Sequence, residues 1–206
     1  MKSKSLNIVI YPPREIFQKA ITVSEQFNKK EKGLFALNDK NYFPHITIYM
    51  AEFPVHNIPK IKKVLRDFII TTKSFHMISL KYYHSDDGYI FVDYKKSPEL
   101  KNLQKKIVNL LNPLREDLLR AKDVDRMNDL DKNSLEFKNI KRYGYRSVGE
   151  NFSPHLTFTK LAISNNSLLA KIAEFDFSFK FDQLGLFYLG EYGTCHDLIE
   201  IFKIKK

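Results

Sequence analysis

A chain of 206 residues with 43% hydrophobic and 28% charged side chains is long enough for one substantial core and has the composition of a folded globular protein. No apolar run approaches the roughly 20 residues of a membrane span. The N-terminus lacks a secretory signal's apolar segment and cleavage site, and the single cysteine, Cys195, excludes an internal disulfide or a thiolate metal cluster. A reducing, cytoplasmic setting is therefore expected, and the chain is expected to be a monomer. Lys and Arg number 34 against 24 Asp and Glu. The net charge of +10 favours anionic partners such as RNA or nucleotides, although a lysine-rich solvated face gives the same number.

Taken in chain order, Leu6 to Tyr11 is short, β-branched and apolar, which predicts a strand. Pro12-Pro13 opens a helix with Ile16, Ala20, Val23 and Phe27 on one face, ended by Gly33. A second helix follows Pro59, with Ile61, Leu65, Phe68 and Ile69 inward. Phe75 to Tyr83 and Tyr89 to Tyr94 read as paired strands joined at Asp86-Asp87-Gly88. Ser97-Pro98-Glu99 caps a third helix carrying Leu100, Leu103, Ile107 and Leu110, which Asn112-Pro113 kinks or ends. Residues 121–149 are charged and poor in apolar side chains, and are expected to form a long, partly ordered connection. Beyond it the pattern predicts a strand and a short helix over residues 164–174. Strands follow at Phe175 to Phe181, whose alternation is strict, at Leu184 to Leu189 and at Asp197 to Ile204.

One feature stands apart from this alternation. Asn41-Tyr42-Phe43-Pro44-His45-Ile46-Thr47-Ile48 matches Asn151-Phe152-Ser153-Pro154-His155-Leu156-Thr157-Phe158, with the Asn, Pro, His and Thr identical. The flanking elements repeat as well, so an internal duplication of about 100 residues is the economical explanation. In a strand, residues two apart share a face, which projects His45 with Thr47 and His155 with Thr157. Ile46, Ile48, Leu156 and Phe158 turn the other way into an apolar layer. Two duplicated lobes facing each other would set two imidazoles and two hydroxyls around one cleft. The imidazoles suit a general acid and a general base, and the hydroxyls can donate to phosphate oxygens. In-line displacement at phosphorus then needs no metal, and neither copy offers a metal-ligand spacing.

The doubled Pro-His-x-Thr-hydrophobic pattern resembles the 2H phosphoesterase superfamily, also called the 2′-5′ RNA ligase-like family, over nearly the whole chain. The resemblance implies an α+β, bilobal, duplicated fold, with two antiparallel sheets lining a central basic cleft and helices outside. It implies that residues 1–206 form a single domain of two pseudo-symmetric lobes. It also implies metal- and cofactor-free chemistry on RNA or nucleotide 2′,3′-cyclic phosphates or 2′-5′ linkages, with His45 as acid and His155 as base. The connection at 121–149 exceeds a minimal member's, so substrate preference is expected to depart from that of tRNA-end enzymes.

Four further residues are candidates for substrate binding. Tyr145 and Arg146, with Tyr143, precede the second motif and are placed to stack on a base or hold a phosphate. Tyr49 and Thr159 extend the two His/Thr faces by two residues. Tyr11, Tyr188, His56, His76, His84 and His196 read as structural, Asp86-Asp87-Gly88 as a turn without calcium-ligand spacing, and Cys195 as unreactive. Two other readings compete with the enzyme: an RNA-binding module whose catalysis is lost, and an interaction protein. The second leaves the duplicated polar face unexplained.

Overall fold

The computed structural model describes residues 2–162 and 175–205. Its first half runs β1 (Ser3–Ile10), α1 (Arg14–Lys30), β2 (Ile46–Pro54), α2 (Ile58–Ile70), β3 (Phe75–Met77), β4 (Ser79–His84) and β5 (Tyr89–Tyr94). Then come α3 (Pro98–Leu111), α4 (Ala121–Asp129), α5 (Leu135–Tyr143), β6 (His155–Lys160), β7 (Phe179–Phe181), β8 (Gln183–Leu189) and β9 (Cys195–Lys203). The expected helix over residues 164–174 lies outside the described residues.

The helices form where capping and period agree. Ser97 accepts a hydrogen bond from the Leu100 N–H at the start of α3, a cap worth about 1 kcal/mol. From there Leu100, Leu103, Ile107 and Leu111 are buried at helical spacing. Likewise α1 buries Ile16, Ala20, Val23 and Phe27, and its last turn carries Lys29 and Lys30 against the negative end of the helix dipole.

The architecture is α+β, with a seven-stranded antiparallel sheet in the order β4-β5-β6-β2-β1-β8-β9 and a two-stranded sheet, β3 with β7. The motif strands β2 and β6 lie side by side at its centre, yet share only the pair Ile46↔Leu156. Each is paired over its length on its other side, β2 with β1 and β6 with β5. The C-terminal β8 and β9 add to the β1 side, and β4 adds to the β5 side. Both sides of the sheet therefore mix early and late sequence.

Three local expectations are corrected. Residues 121–149 are not a loosely ordered connection: α4 and α5 occupy most of the stretch. Polar groups anchor it. The fully buried Arg115 guanidinium donates to the carbonyls of Leu118 and Arg142, and Tyr49 Oη donates to the Tyr143 carbonyl at 2.7 Å. Phe75 to Tyr83 is not one strand, because the chain changes sheets at Ile78. The strand expected from Phe175 begins only at Phe179: the N–H groups of Phe175 and Phe177 donate to Tyr82 Oη and Ser79 Oγ, so side chains replace the ladder there.

Candidate active site

The two motifs build the same local structure twice. Nδ1 of His45 lies 2.7 Å from the Phe43 carbonyl, and Nδ1 of His155 lies 2.8 Å from that of Ser153. In each case the acceptor is two residues back, across the motif proline. A carbonyl only accepts, so each Nδ1 carries the hydrogen, and in the neutral ring Nε2 keeps the lone pair.

Both strands also carry the same irregularity. In the β1–β2 pair Ile8 faces Tyr49 while Val9 faces Thr47, and in the β5–β6 pair Ile90 faces Thr159 while Phe91 faces Thr157. Ile48 and Phe158 are thus the extra residues of two matching β-bulges. A bulge shifts the side-chain alternation by one position. Beyond it, Met50 and Lys160 rejoin the face of His45/Thr47 and His155/Thr157, whereas Tyr49 and Thr159 turn inward. Helix side chains satisfy the bulge backbone. Gln104 Nε2 of α3 donates to the Ile48 carbonyl at 3.3 Å, and Ser24 Oγ of α1 donates to the Phe158 carbonyl at 2.6 Å.

His45, Thr47, His155 and Thr157 line one open cavity of about 700 Å³. Tyr145 and Arg146 line it too. Two expected contacts are corrected. Tyr49 is fully buried on the opposite face, and Thr159 is fully buried with its hydroxyl donating to the Phe35 carbonyl at 2.7 Å. The bulges displace both. The same polar groups that serve the bulges also fix the cavity wall. Gln104 donates to the Ser147 carbonyl and accepts from the Gly149 N–H, while Asn139 donates to the carbonyls of Arg146 and Val148.

The electrostatics favour neutral imidazoles in the free protein. Burial pushes His45 down to about 4, His155 adds to the fall, and the backbone at Phe43 and Gly193 opposes it. Burial also lowers His155, assisted by Arg146 and opposed by the Ser153 carbonyl and by Asp93. Asn7, fully buried, donates from Nδ2 to Thr47 Oγ1 at 3.2 Å, which leaves the threonine's own O–H to donate elsewhere.

Several contributors escape a linear reading. Asp93 is the cross-strand partner of His155, and the Phe91 ring lies with its centroid 4.9 Å from that of the imidazole. Lys160 reaches the cavity only through the bulge. Arg120, Lys122 and Arg126 come from α4 and the residue before it. Their one signal in the sequence is the density of charge after residue 120. No group of three or more His, Cys, Asp or Glu among the described residues is disposed to hold a metal ion.

The fold has counterparts among solved structures. E. coli LigT complexed with 3′-AMP superposes with a TM-score of 0.60 at 13% identity, covering 100% of both chains. TT0787 of Thermus thermophilus gives 0.62 at 12% identity over 97% of each, and a further structure described as a phosphoesterase gives 0.57 at 12% over 100% of each. No curated protein matches the chain in sequence. The model of the 2′-5′ RNA ligase superfamily matches residues 29–192, which contain both motifs and all the cations of the cavity wall. The chain thus belongs to the 2′-5′ RNA ligase superfamily, the 2H phosphoesterases.

Proposed function

We propose that the protein is a phosphodiesterase that acts without a metal on RNA or nucleotide 2′,3′-cyclic phosphates, or on 2′-5′ linkages, with the two motif histidines as acid and base. The observation that carries this reading is the matched pair. Two imidazoles with the same Nδ1–H···O=C orientation, each with a threonine two residues on, line one cavity. Nε2 of His155 takes a proton from water as the water oxygen attacks phosphorus. Nε2–H of His45 gives a proton to the departing ribose oxygen as its bond to phosphorus breaks. Thr47 and Thr157 donate to the non-bridging oxygens. Opening the ring toward the 2′ side leaves a 2′-phosphate.

The depressed pKa of His45 fits this assignment once substrate is counted. In the free protein His45 is neutral at pH 7. A phosphate anion beside it favours the charged form and raises the pKa, so substrate binding itself arms the acid. The test is turnover of nucleoside 2′,3′-cyclic phosphates in EDTA, with phosphorus NMR of the product. Turnover that persists in chelator and disappears in His45→Ala and His155→Ala supports the reading. Absence of turnover, or its loss on chelation, overturns it.

A further inference from the structure

One wall of the cavity gathers cations that lie outside the His/Thr pairs themselves. Lys122 and Arg126 stand on α4, Arg146 follows α5, and Lys160 ends β6. Arg126 and Arg146 share a single carboxylate, Glu136, at 3.8 and 3.4 Å. Among the described residues neither Lys122 nor Lys160 has a carboxylate partner. Lys160 is instead held between aromatic rings, its Nζ 4.5 Å from the Tyr89 centroid and 5.8 Å from that of Tyr192. The cavity's acids outside this wall, Asp87 and Glu191, come from the β4–β5 turn and the β8–β9 loop, and Asp87 already accepts from Ser85 Oγ. Partial desolvation lowers the Lys122 pKa, and Arg126, Arg120, Lys160 and Arg146 lower it further. Such crowding of like charge is relieved when an anion enters.

A cyclic phosphodiester carries one negative charge, and the motif histidines and threonines already provide its hydrogen bonds. Four further cations, two on α4, one after α5 and one at the end of β6, exceed that requirement. We propose that Lys122, Arg126, Arg146 and Lys160 form a second phosphate subsite, which binds a phosphate of the substrate other than the one held between His45 and His155. The preferred substrate then carries at least two phosphates, either a 5′-phosphate on the reacting nucleotide or the next internucleotide phosphate of an RNA chain. This inference rests on the proposed function, since it assigns the reacting phosphate to the two histidines.

The test compares kcat/KM for three substrates: a nucleoside 2′,3′-cyclic phosphate, the same nucleoside with an added 5′-phosphate, and a dinucleotide ending in the cyclic phosphate. One or both two-phosphate substrates are expected to be used at least about tenfold better. The better of the two identifies the source of the second phosphate. That advantage should fall to about twofold or less in a Lys122→Gln/Arg126→Gln double variant. It should also weaken with salt, by a log–log slope about 0.7 steeper than for the single-phosphate substrate. Equal use of all three substrates by the native protein overturns the subsite while leaving the phosphodiesterase reading in place. Binding is measured in parallel with a nucleoside 2′-phosphate and its 2′,5′-bisphosphate. If no substrate turns over but the bisphosphate binds more tightly through Lys122 and Arg126, the subsite stands and the phosphodiesterase reading falls. No turnover together with equal binding overturns both.

Discussion

The side-chain amide of Gln104 donates to the carbonyl of Ile48, the residue by which β2 exceeds its partner strand. One buried glutamine on α3 thereby completes the backbone of a bulge. Through its bonds to Ser147 and Gly149 it also holds the loop that presents Tyr145 and Arg146. Ser24 plays the matching part for the second motif: it donates to Phe158 and accepts from the Leu37 N–H at 2.9 Å, on the wall that carries Phe35 and Leu37.

Replacing Gln104 by Leu leaves buried backbone groups without partners and should cost about 1–3 kcal/mol of stability. Urea unfolding should show a lower midpoint with an unchanged m-value. Because the loop bearing Arg146 is released, KM should rise more than kcat falls. A variant as stable as the native protein would show that the Ile48 carbonyl needs no side-chain partner.

His45→Ala and His155→Ala should each lower kcat by about 10²-fold or more while leaving far-UV circular dichroism and the unfolding midpoint near native values. Since the two act in one step, the double variant should be little worse than either alone. Multiplicative losses would indicate independent roles.

The titration of His45 should move with ligand. In the free protein its ring protons should titrate with a midpoint about 4 by NMR. Adding a nucleoside 2′-phosphate should raise that midpoint, and a midpoint unmoved by a bound anion would rule out His45 as the group armed by substrate.

Stability should carry the same signature. A histidine with an unfolded value near 6.5 and a folded value of about 4 is protonated more readily in the unfolded chain. Its contribution favouring the fold is therefore complete above pH 6.5 and is lost progressively as pH falls toward 4. Thermal unfolding of the native protein should show Tm decreasing over that window, and His45→Gln should flatten the decrease.

The bulges make a prediction that simple alternation would reverse. Tyr49→Phe removes the hydrogen bond to the Tyr143 carbonyl and should cost about 1 kcal/mol of stability without raising KM. Lys160→Ala should do the opposite, raising KM several-fold with little effect on stability. A rise in KM for Tyr49→Phe together with native KM for Lys160→Ala would mean that the strand faces are the other way round.

The duplicated His/Thr pairs and the alternation of strands with helices follow from local pattern alone, because proline placement, period and identity between two segments are properties of neighbouring residues. So does the apolar layer formed by Ile46, Ile48, Leu156 and Phe158, all fully buried. The roles of Tyr49, Thr159 and Lys160 do not follow in that way. A bulge is set by the register against β1 or β5 and by a helix side chain that meets the extra carbonyl, and those partners lie far along the chain. The order in residues 121–149 is likewise a tertiary matter. Two short helices with little apolar surface are weak by themselves, and α5 is held by Arg115 and by the hydroxyl of Tyr49. The charges of Lys122, Arg126 and Arg146 are plain in the sequence, but only the fold, which sets α4 and the segment after α5 around the cavity that β6 also lines, brings them together with Lys160. Like charges separated in sequence come together only where the rest of the fold supplies the energy to hold them.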